Sequence, residues 1–502
     1  MNLWSNGATM DRQRSMVIWA ALLALFLGAL DALIMSAAMP SIVAELAGLE
    51  LYAWVYSAYF LTRAVSLPVF GKLADVYSVK KLFLFSIILF TVASVIAGLS
   101  NSMWMLIISR AFQGIGAGGN FALVYIVLSH VSEPSNRAKT LSLASSIWGI
   151  SSVIGPTLGG FIVTYFSWRW IFFINLPVGL LSLAGIALFL QSKERVEKET
   201  SLDLTGVMLF TTFVLGLLCI FITGGRELPW LSPSMAILVI FTLVMGILFY
   251  RQEKRAEKPM IHLSFFTQRN FTMGISATFL ASFTIFSLFA YVPLYIQGSL
   301  GLSPMQVGLA MVSLSLGWSF GALFYGRLSK KGAERLWSIW GGLVLLAGSV
   351  MMLRFNLGTS MLECFAVFLI IGIGMGLVSL STLIVVQDSV SNKHLGIATS
   401  LHQFGRSLGG TVGVGVCGGI LTTRLFGNLA KVETLPDEMV AGLERSVESM
   451  LQPGFHALIP DEALVSLKNA LLAGVYSTFI LCTLSSLLCF FSCVLLKKST
   501  DG

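Results

Sequence analysis

Charged residues are scarce in this chain. Of its 502 residues, 32 are Lys or Arg and 24 are Asp or Glu, which together make 11% of the sequence. A soluble domain carries about 25% charged residues, so this chain could not cover a water-facing surface of its own size. The shortage therefore excludes a soluble enzyme, a nucleic-acid-binding domain and a small secreted domain.

The sequence also lacks the signatures of several kinds of chemistry. Its six cysteines lie inside apolar runs with no Cys-x-x-Cys pair, so neither a disulfide framework nor a zinc site is expected. No glycine-rich Walker loop is present, which argues against a fused ATPase. The five histidines are scattered, which makes a multipass membrane enzyme the weak alternative. We identify no catalytic residue and expect no metal and no cofactor.

In place of charged surface residues and catalytic signatures, the chain has long hydrophobic runs. Hydrophobic residues make up 56% of the sequence, and the mean hydropathy is +0.85. A membrane-spanning helix needs about 20 apolar residues. Fourteen runs of spanning length are predicted: 16–38, 52–70, 82–99, 103–129, 141–166, 169–190, 203–224, 232–250, 271–297, 305–325, 337–353, 361–387, 397–423 and 467–495. The predicted fold class is therefore an all-α polytopic membrane protein.

The basic residues predict how the chain is oriented. When the N-terminus is placed in the cytoplasm, most Lys and Arg residues fall in the inner segments, as the positive-inside rule requires. An even number of spans then puts both termini in the cytoplasm. The net charge of +8 is explained by this topology without any nucleic acid. Three basic residues, Arg63, Arg110 and Arg406, fall within spans.

Three glycine motifs recur along the chain in the same order. Residues 71–74 resemble 326–329, residues 114–118 resemble 372–376, and residues 155–159 resemble 410–413, each about 255 residues later. The predicted plan is six helices, two inserted helices and six more. Two such repeats around a midplane site are typical of secondary transporters. The predicted parts are a cytoplasmic N-terminus (1–15), an N-terminal six-helix bundle (16–192), two inserted helices (200–252), and a C-terminal six-helix bundle (270–496) with a long outer loop (424–466).

Several short motifs carry a resemblance to a known family. They are Leu30-Asp31, Gly71-Lys72-Leu73-Ala74-Asp75, Arg110-Ala111-Phe112-Gln113-Gly114, Gly155-Pro156-Thr157-Leu158-Gly159-Gly160, Trp168-Arg169-Trp170 and Pro293-Leu294-Tyr295-Ile296-Gln297. With these motifs in order, the chain resembles the fourteen-helix drug:proton antiporter branch of the major facilitator superfamily. That resemblance implies the major facilitator fold, and proton-coupled export of amphipathic drugs or toxic small molecules across the cytoplasmic membrane by alternating access.

The same resemblance implies roles for particular residues. Arg110 is tied to proton coupling, and Gln113 of the same motif is expected near the substrate cavity. Gly71 and Asp75 are expected to act as a conformational latch at the inner rim. The fifth-helix motif is expected to shape the central cavity and limit leak through its bend and close helix contacts. Its members are Gly155, Pro156, Gly159 and Gly160.

The charges buried in the spans also indicate a function independently of the family resemblance. A carboxylate near the middle of the membrane costs a few kcal/mol unless it is paired, protonated or hydrated, so Asp31 is a candidate proton site. The alternative is an acid that is permanently paired for structural reasons. Arg110 cannot lose its charge and must face water or a counter-charge.

Arg63 leaves two hypotheses open. It either pairs with Asp31 and keeps that carboxylate ionised, or it holds an anionic or zwitterionic substrate, with lipid-facing snorkelling as a third reading. Arg406 is a further candidate for the substrate cavity. The functional alternative is thus a dedicated carrier, for export or uptake, of an anionic or zwitterionic metabolite, lipid or vitamin.

The expected partners follow from this interpretation. They are a small-molecule substrate, protons and the lipid bilayer, with no nucleic acid. The residues carry no signal for or against a periplasmic adaptor protein.

Overall fold

A computed structural model describes most of the chain in one helical assembly. Placement is described for all residues except 1–6, 47–50, 133–135, 192–202, 225–227, 258, 260, 303, 331, 392–393, 430–460 and 498–502. Within the described residues there are helices and no strands beyond one isolated bridge between Gly224 and Leu228.

The helices are numbered here in chain order. They are α1 (Gly7–Leu46), α2 (Tyr52–Val76), α3 (Val79–Gly98), α4 (Met103–Val131), α5 (Arg137–Tyr165), α6 (Trp170–Phe173), α7 (Asn175–Phe189), α8 (Leu204–Thr223), α9 (Pro233–Arg255), α10 (Arg269–Pro293), α11 (Pro304–Leu328), α12 (Glu334–Met352), α13 (Met361–Asp388), α14 (Leu395–Leu429) and α15 (Asp461–Val494). A 3-10 turn, Leu263–Thr267, precedes α10, and a π-helical turn, Leu294–Ser299, follows it.

Each predicted apolar run coincides with a helix, with α6 and α7 sharing one run. Eleven of the described helices, counted with these joined segments, are long and apolar enough to cross a membrane. The apolar α8 is shorter, while α2 and α5 carry more polar residues in their spans. This pattern is a polytopic all-α membrane fold.

Helix boundaries differ from the prediction at two places. Because α1 begins at Gly7, residues 7–15 of the predicted N-terminal segment are helical. The predicted outer loop 424–466 is helical at both ends, since α14 continues to Leu429 and α15 begins at Asp461. The remainder of that loop, 430–460, lies outside the described residues. These extensions contain charged residues, among them Asp11, Arg12 and Asp461, so the helices continue beyond the apolar runs by which hydropathy locates a span.

Polar residues mark several helix starts near the membrane surface. The Ser360 hydroxyl accepts a hydrogen bond from the Glu363 amide, and the Glu363 carboxylate accepts one from the Ser360 amide. This capping box satisfies two of the amides that the first turn of a helix leaves unpaired. Ser102 and Ser232 cap α4 and α9 through single hydrogen bonds. The chain thus re-enters the membrane at defined positions.

The glycine motifs of the repeat occupy equivalent positions in the two halves. Gly114 of α4 packs against the Tyr59 backbone of α2, as Gly372 of α13 packs against the Leu314 backbone of α11. Helices α2 and α3 pack on α4, and α11 and α12 pack on α13 in the same way. Similarly, α1 contacts α5 and α7, while α10 contacts α14 and α15. A side chain at these glycines would separate the paired helices.

The two halves meet through α5 with α11 and α2 with α14. On the predicted inner side, one apolar core joins first-half residues such as Phe70 and Leu128 to Tyr325 and Leu383 of the second half. Toward the predicted outer side, the described core around Ile34 and neighbouring first-half helices contains first-half residues alone. The protein is therefore closed on its predicted inner side.

The two inserted helices pack on each other and lie beside the second half. Helix α8 also contacts α14 and α2. Between this pair and helices α10 and α14 lies an apolar cavity of about 500 Å³, with Phe210, Phe249 and Phe404 in its wall. The pair thus extends the apolar surface of the molecule without entering its centre.

Candidate proton site and central arginine cluster

Asp31 is the centre of a buried hydrogen-bonded network. Its side chain lies in α1 and is only 2% exposed. Its Oδ2 accepts a hydrogen bond from Arg110 Nη1 at 2.6 Å, and its Oδ1 accepts from Gln113 Nε2 at 2.8 Å and from Asn175 Nδ2 at 3.0 Å. The carboxylate is therefore held by donors from α4 and α7.

Local helix geometry brings these donors together. Arg110 and Gln113 are three residues apart on α4 and so share one face. Arg110 Nη1 also donates to Gln113 Oε1 at 2.7 Å, which orients the amide so that its nitrogen faces Asp31. Asn175 begins α7, where its side chain donates to both Asp31 and Ser94 Oγ, the latter at 2.9 Å. All four side chains of the network are buried.

A buried ion pair is tolerated only when its remaining polar atoms are satisfied, because removing two charges from water is expensive. Here both carboxylate oxygens accept hydrogen bonds, and the Arg110 guanidinium lies 4.1 Å from the Tyr59 ring. Arg110 Nε is left without a partner. Protonation of Asp31 would neutralise its carboxylate and so remove the ionic attraction that holds Arg110 in place.

Arg63 does not pair with Asp31 in this conformation. It is 7% exposed, and its guanidinium carbon lies 4.9 Å from the Phe60 ring and 5.0 Å from the Phe121 ring. Its Nη1 has no hydrogen-bond partner. Arg63 and Arg110 both lie near Tyr59, at 5.7 and 4.1 Å from the centre of its ring. The hypothesis that Arg63 pairs with Asp31 is thus not met here, where Asp31 pairs with Arg110.

Arg406 lies in α14 among aromatic rings. Its guanidinium carbon is 5.9 Å from the ring centres of Tyr125 and Trp148 and 5.8 Å from that of Trp318. It is 6% exposed. Arg63 and Arg406 thus form one central cluster with aromatic neighbours from both halves, whereas Gln113 belongs to the Asp31 network.

The fifth-helix motif lies directly against the Asp31 helix. A side chain at Gly155 would collide with Leu33 Cβ and approach the Ile34 amide of α1, so this glycine permits α1 and α5 to touch close to Asp31. Gly159 is also buried, but a Cβ at Gly160 would meet no atom within 4 Å. Helix α5 continues through Pro156, whose side chain lies outside the described part of the chain.

Some residues of these sites were not predicted. Asn175 lies five residues beyond the Trp168-Arg169-Trp170 motif, where a neutral amide in an apolar run did not reveal its role. Tyr59, Trp148 and Trp318 are aromatic residues in a chain with 36 Phe, 11 Tyr and 11 Trp, so composition could not single them out. The one signal that could have found Asn175 is an uncharged amide inside a predicted span, where polar side chains are costly unless they are hydrogen-bonded.

A family comparison agrees with this geometry. The profile described as "Major Facilitator Superfamily" matches residues 21–414. The chain belongs to the major facilitator superfamily. It is a multi-pass membrane protein of a transporter family.

Several curated relatives are similar over most of this superfamily member. The multidrug transporter protein MdtP of Bacillus subtilis is 34% identical over 424 residues, which is 84% of this chain and 78% of that protein. Multidrug resistance protein 3 of the same species is 28% identical, covering 93% of this chain and 91% of its own length. The multidrug efflux pump SdrM of Staphylococcus aureus is 29% identical, covering 80% and 88%.

A solved structure shares the fold. The crystal structure of the human organic anion transporter MFSD10 (TETRAN) aligns with a TM-score of 0.59 and covers 93% of this chain and 99% of that chain. At 13% sequence identity, this likeness shows the fold alone.

The superfamily's loop motif lies at the contact between the two halves on the predicted inner side. Both oxygens of Asp75 accept hydrogen bonds, from the backbone amides of Gly396 and Ile397, at 3.1 Å each. These amides open α14, where the helix dipole favours a negative charge. Gly71 packs against Ser400 and the Gly396 carbonyl with no room for a side chain.

Two other contacts lie on the same side of the molecule. Arg137 Nη1 lies 3.4 Å from Asp388 Oδ1, and Gln387 Nε2 donates to Ser129 Oγ at 3.0 Å. Each joins a first-half helix to α13. We refer to these contacts and the Asp75 contact as the inner latch.

Replacing Asp75 by Asn is expected to loosen the inner latch. The charge at a helix N-terminus is worth about 1 kcal/mol, so the change should raise the open population roughly fivefold. Hydrogen–deuterium exchange of peptides covering 395–400 should accelerate accordingly. Asp388→Asn is the matched control, since its partly exposed ion pair contributes less. Equal exchange in Asp75→Asn and the unmodified protein would contradict the latch.

The motif at residues 168–170 fastens the predicted outer end of α1. Glu45 accepts hydrogen bonds from Arg169 Nη1 at 2.6 Å and from Trp168 Nε1 at 2.7 Å. Hydrogen bonding from Arg169, and next from Trp168, lowers the pKa of Glu45 below its usual value. The carboxylate is exposed, so this pair positions the chain and contributes little stability.

Proposed function

We propose that this superfamily member is a proton-coupled exporter of amphipathic small molecules, drugs among them, across the cell membrane. In the proposed arrangement both termini are cytoplasmic and two six-helix bundles rock around a central site. Helices α8 and α9 are inserted between the bundles in the sequence and lie at their side. The protein moves its substrate and protons without chemical conversion, so no enzymatic activity is part of the proposal.

The observation that carries this proposal is the Asp31 network. Asp31 is the acidic residue that the structure buries in the first half together with Arg110, Gln113 and Asn175. A buried acid with a displaceable cationic partner is what proton exchange at mid-membrane requires. The names of the relatives support the drug substrate, since MdtP, SdrM and multidrug resistance protein 3 are all described as multidrug proteins.

The proposed cycle begins from the conformation closed by the inner latch. A proton that reaches Asp31 from outside neutralises the carboxylate and releases Arg110 toward Tyr59. The released charge disfavours this conformation, the inner latch opens, and the proton leaves to the cytoplasm. Substrate then binds from the inner side, and restored pairing of Asp31 with Arg110 favours closure of that side.

The proposal is tested by proton flux in proteoliposomes. An acidic lumen with pyranine inside reports proton release when a transported compound is added outside. The panel should contain permanently charged cations, neutral compounds and permanently charged anions, all amphipathic. We expect compound-dependent lumenal alkalinisation with at least one class, because export into the lumen is exchanged for protons leaving it.

Two controls accompany this experiment. Protein-free liposomes measure passive entry, and nigericin with potassium collapses the pH gradient and should stop accumulation. Compound movement that is equal with and without the pH gradient would contradict proton coupling. No compound-dependent proton flux across the whole panel would overturn the proposed function.

A further inference from the structure

Two buried arginines at the centre of the protein have no acidic partner among the residues that the structure describes. Arg63 is 7% and Arg406 6% exposed, yet neither has an ion pair within the described part of the chain. The buried carboxylate of Asp31 already accepts hydrogen bonds from Arg110, Gln113 and Asn175. A buried guanidinium retains its charge, so this cluster holds an excess of positive charge.

The two arginines belong to one cluster. Arg63 lies 5.0 Å from the Phe121 ring, the Phe121 and Trp148 ring centres are 5.4 Å apart, and Arg406 lies 5.9 Å from Trp148. Aromatic faces attract a cation but accept few hydrogen bonds, so they stabilise the arginines without neutralising them.

Hydrogen-bond donors in this cluster outnumber their acceptors. Arg63 Nη1, Trp148 Nε1 and Trp318 Nε1 are buried and have no hydrogen-bond partner among the described residues. Buried polar groups in native proteins are nearly always paired, so this concentration of unpaired atoms marks a place that a ligand completes. A group that offers only acceptors and carries negative charge matches the arginine and indole donors.

The cluster draws on both halves of the protein. Arg63, Phe121 and Trp148 come from α2, α4 and α5, whereas Trp318 and Arg406 come from α11 and α14. The Trp148 and Trp318 rings are nearly parallel, with an interplanar angle of 5°. A molecule held here contacts the two halves that move against each other, as a transported substrate must and a structural counter-ion need not.

We propose that this arginine cluster is the substrate site and that it selects amphipathic organic anions. A carboxylate or sulfonate binds between Arg63 and Arg406, and the aromatic or apolar body of the substrate packs against Trp148, Trp318 and Tyr125. The inference rests on the proposed function, because it names the substrate class of that transport cycle.

The experiment compares three versions of one aromatic scaffold. Quinoline carrying a carboxylate, a carboxamide or a trimethylammonium group is offered to proteoliposomes with an acidic lumen, and entry is measured by mass spectrometry. We expect the carboxylate to be transported fastest. Arg63→Gln and Arg406→Gln should each slow it on the order of tenfold or more, because each removes one of the two charges that bind the anion.

Further variants separate recognition from folding. Arg63→Lys and Arg406→Lys keep the charge and should retain part of the carboxylate transport. Arg354→Gln removes an exposed positive charge and should leave transport unchanged. If the Gln variants fail to insert, the preference of the unmodified protein among the three compounds decides the question.

The possible results test the anion site and the proposed function separately. Faster transport of the ammonium compound than of the carboxylate, or unchanged carboxylate transport in both Gln variants, overturns the anion site and leaves proton-coupled export standing. Failure of all three compounds to move also overturns it. The proposed function itself depends on the proton-flux panel, in which cations and neutral compounds are tested independently.

Discussion

Proteoliposomes that contain Asp31→Asn protein are expected to show no proton-driven transport above the rate of protein-free liposomes. Asparagine is nearly isosteric and still offers an oxygen to Arg110 and Asn175, but it cannot bind or release a proton. The pH gradient can therefore no longer drive the transport cycle. Lumenal pyranine should report no compound-dependent proton release from this variant.

A second measurement keeps this result interpretable. Exchange of external for internal substrate at equal pH requires the conformational change but no proton, so it should persist in Asp31→Asn protein. Asp388→Asn is the matched control, because it neutralises an acid of the inner latch that the proton site does not contact. Uphill transport by Asp31→Asn protein under a pH gradient would exclude Asp31 as the coupling residue.

Replacing Arg110 by Met should destabilise the protein by about 3–5 kcal/mol, which is the usual cost of leaving one member of a buried ion pair alone. Methionine has a similar length, so most of the loss arises from the stranded Asp31 carboxylate and from the lost hydrogen bond to Gln113 Oε1. Thermal unfolding of the purified protein in detergent should show a lower midpoint.

The double variant Asp31→Asn/Arg110→Met completes a thermodynamic cycle. With both charges removed, neither is left buried without a partner, so the double variant should be more stable than Arg110→Met alone. Additive losses in the two single variants would mean that the pair is not energetically coupled. Transport should be absent from the double variant whatever its stability, because no titratable group replaces Asp31.

The sequence was sufficient to predict the helices and to identify the charged residues that lie within them. Each span consists of apolar residues whose backbone must pair internally, so length and hydropathy alone locate it. Asp31, Arg110, Arg63 and Arg406 could be singled out since charges within spans are rare and costly.

Their pairing could not be predicted in the same way. Position along a helix gives the depth of a residue but not which neighbouring helix its side chain faces. The sequence therefore indicates Arg63 as a possible partner of Asp31 and only an unspecified counter-charge for Arg110, whereas helix packing places Arg110 Nη1 2.6 Å from Asp31. The aromatic neighbours of Arg406 depend on contacts between α5, α11 and α14, which are far apart in the chain.

The repeat also shows how two copies of one helix arrangement have diverged in chemistry. Gly114 of α4 and Gly372 of α13 make the same kind of contact, so the positions before them correspond. Where α4 has Arg110 and Gln113, α13 has Phe368 and Ile371, both fully buried. At these positions one copy thus has an ionisable centre and the other an apolar core, with Phe368 packed 5.8 Å from Phe355. The backbone arrangement is common to both halves, whereas the charge buried at this level of the repeat belongs to the first half, so the two copies are symmetric in packing and asymmetric in charge.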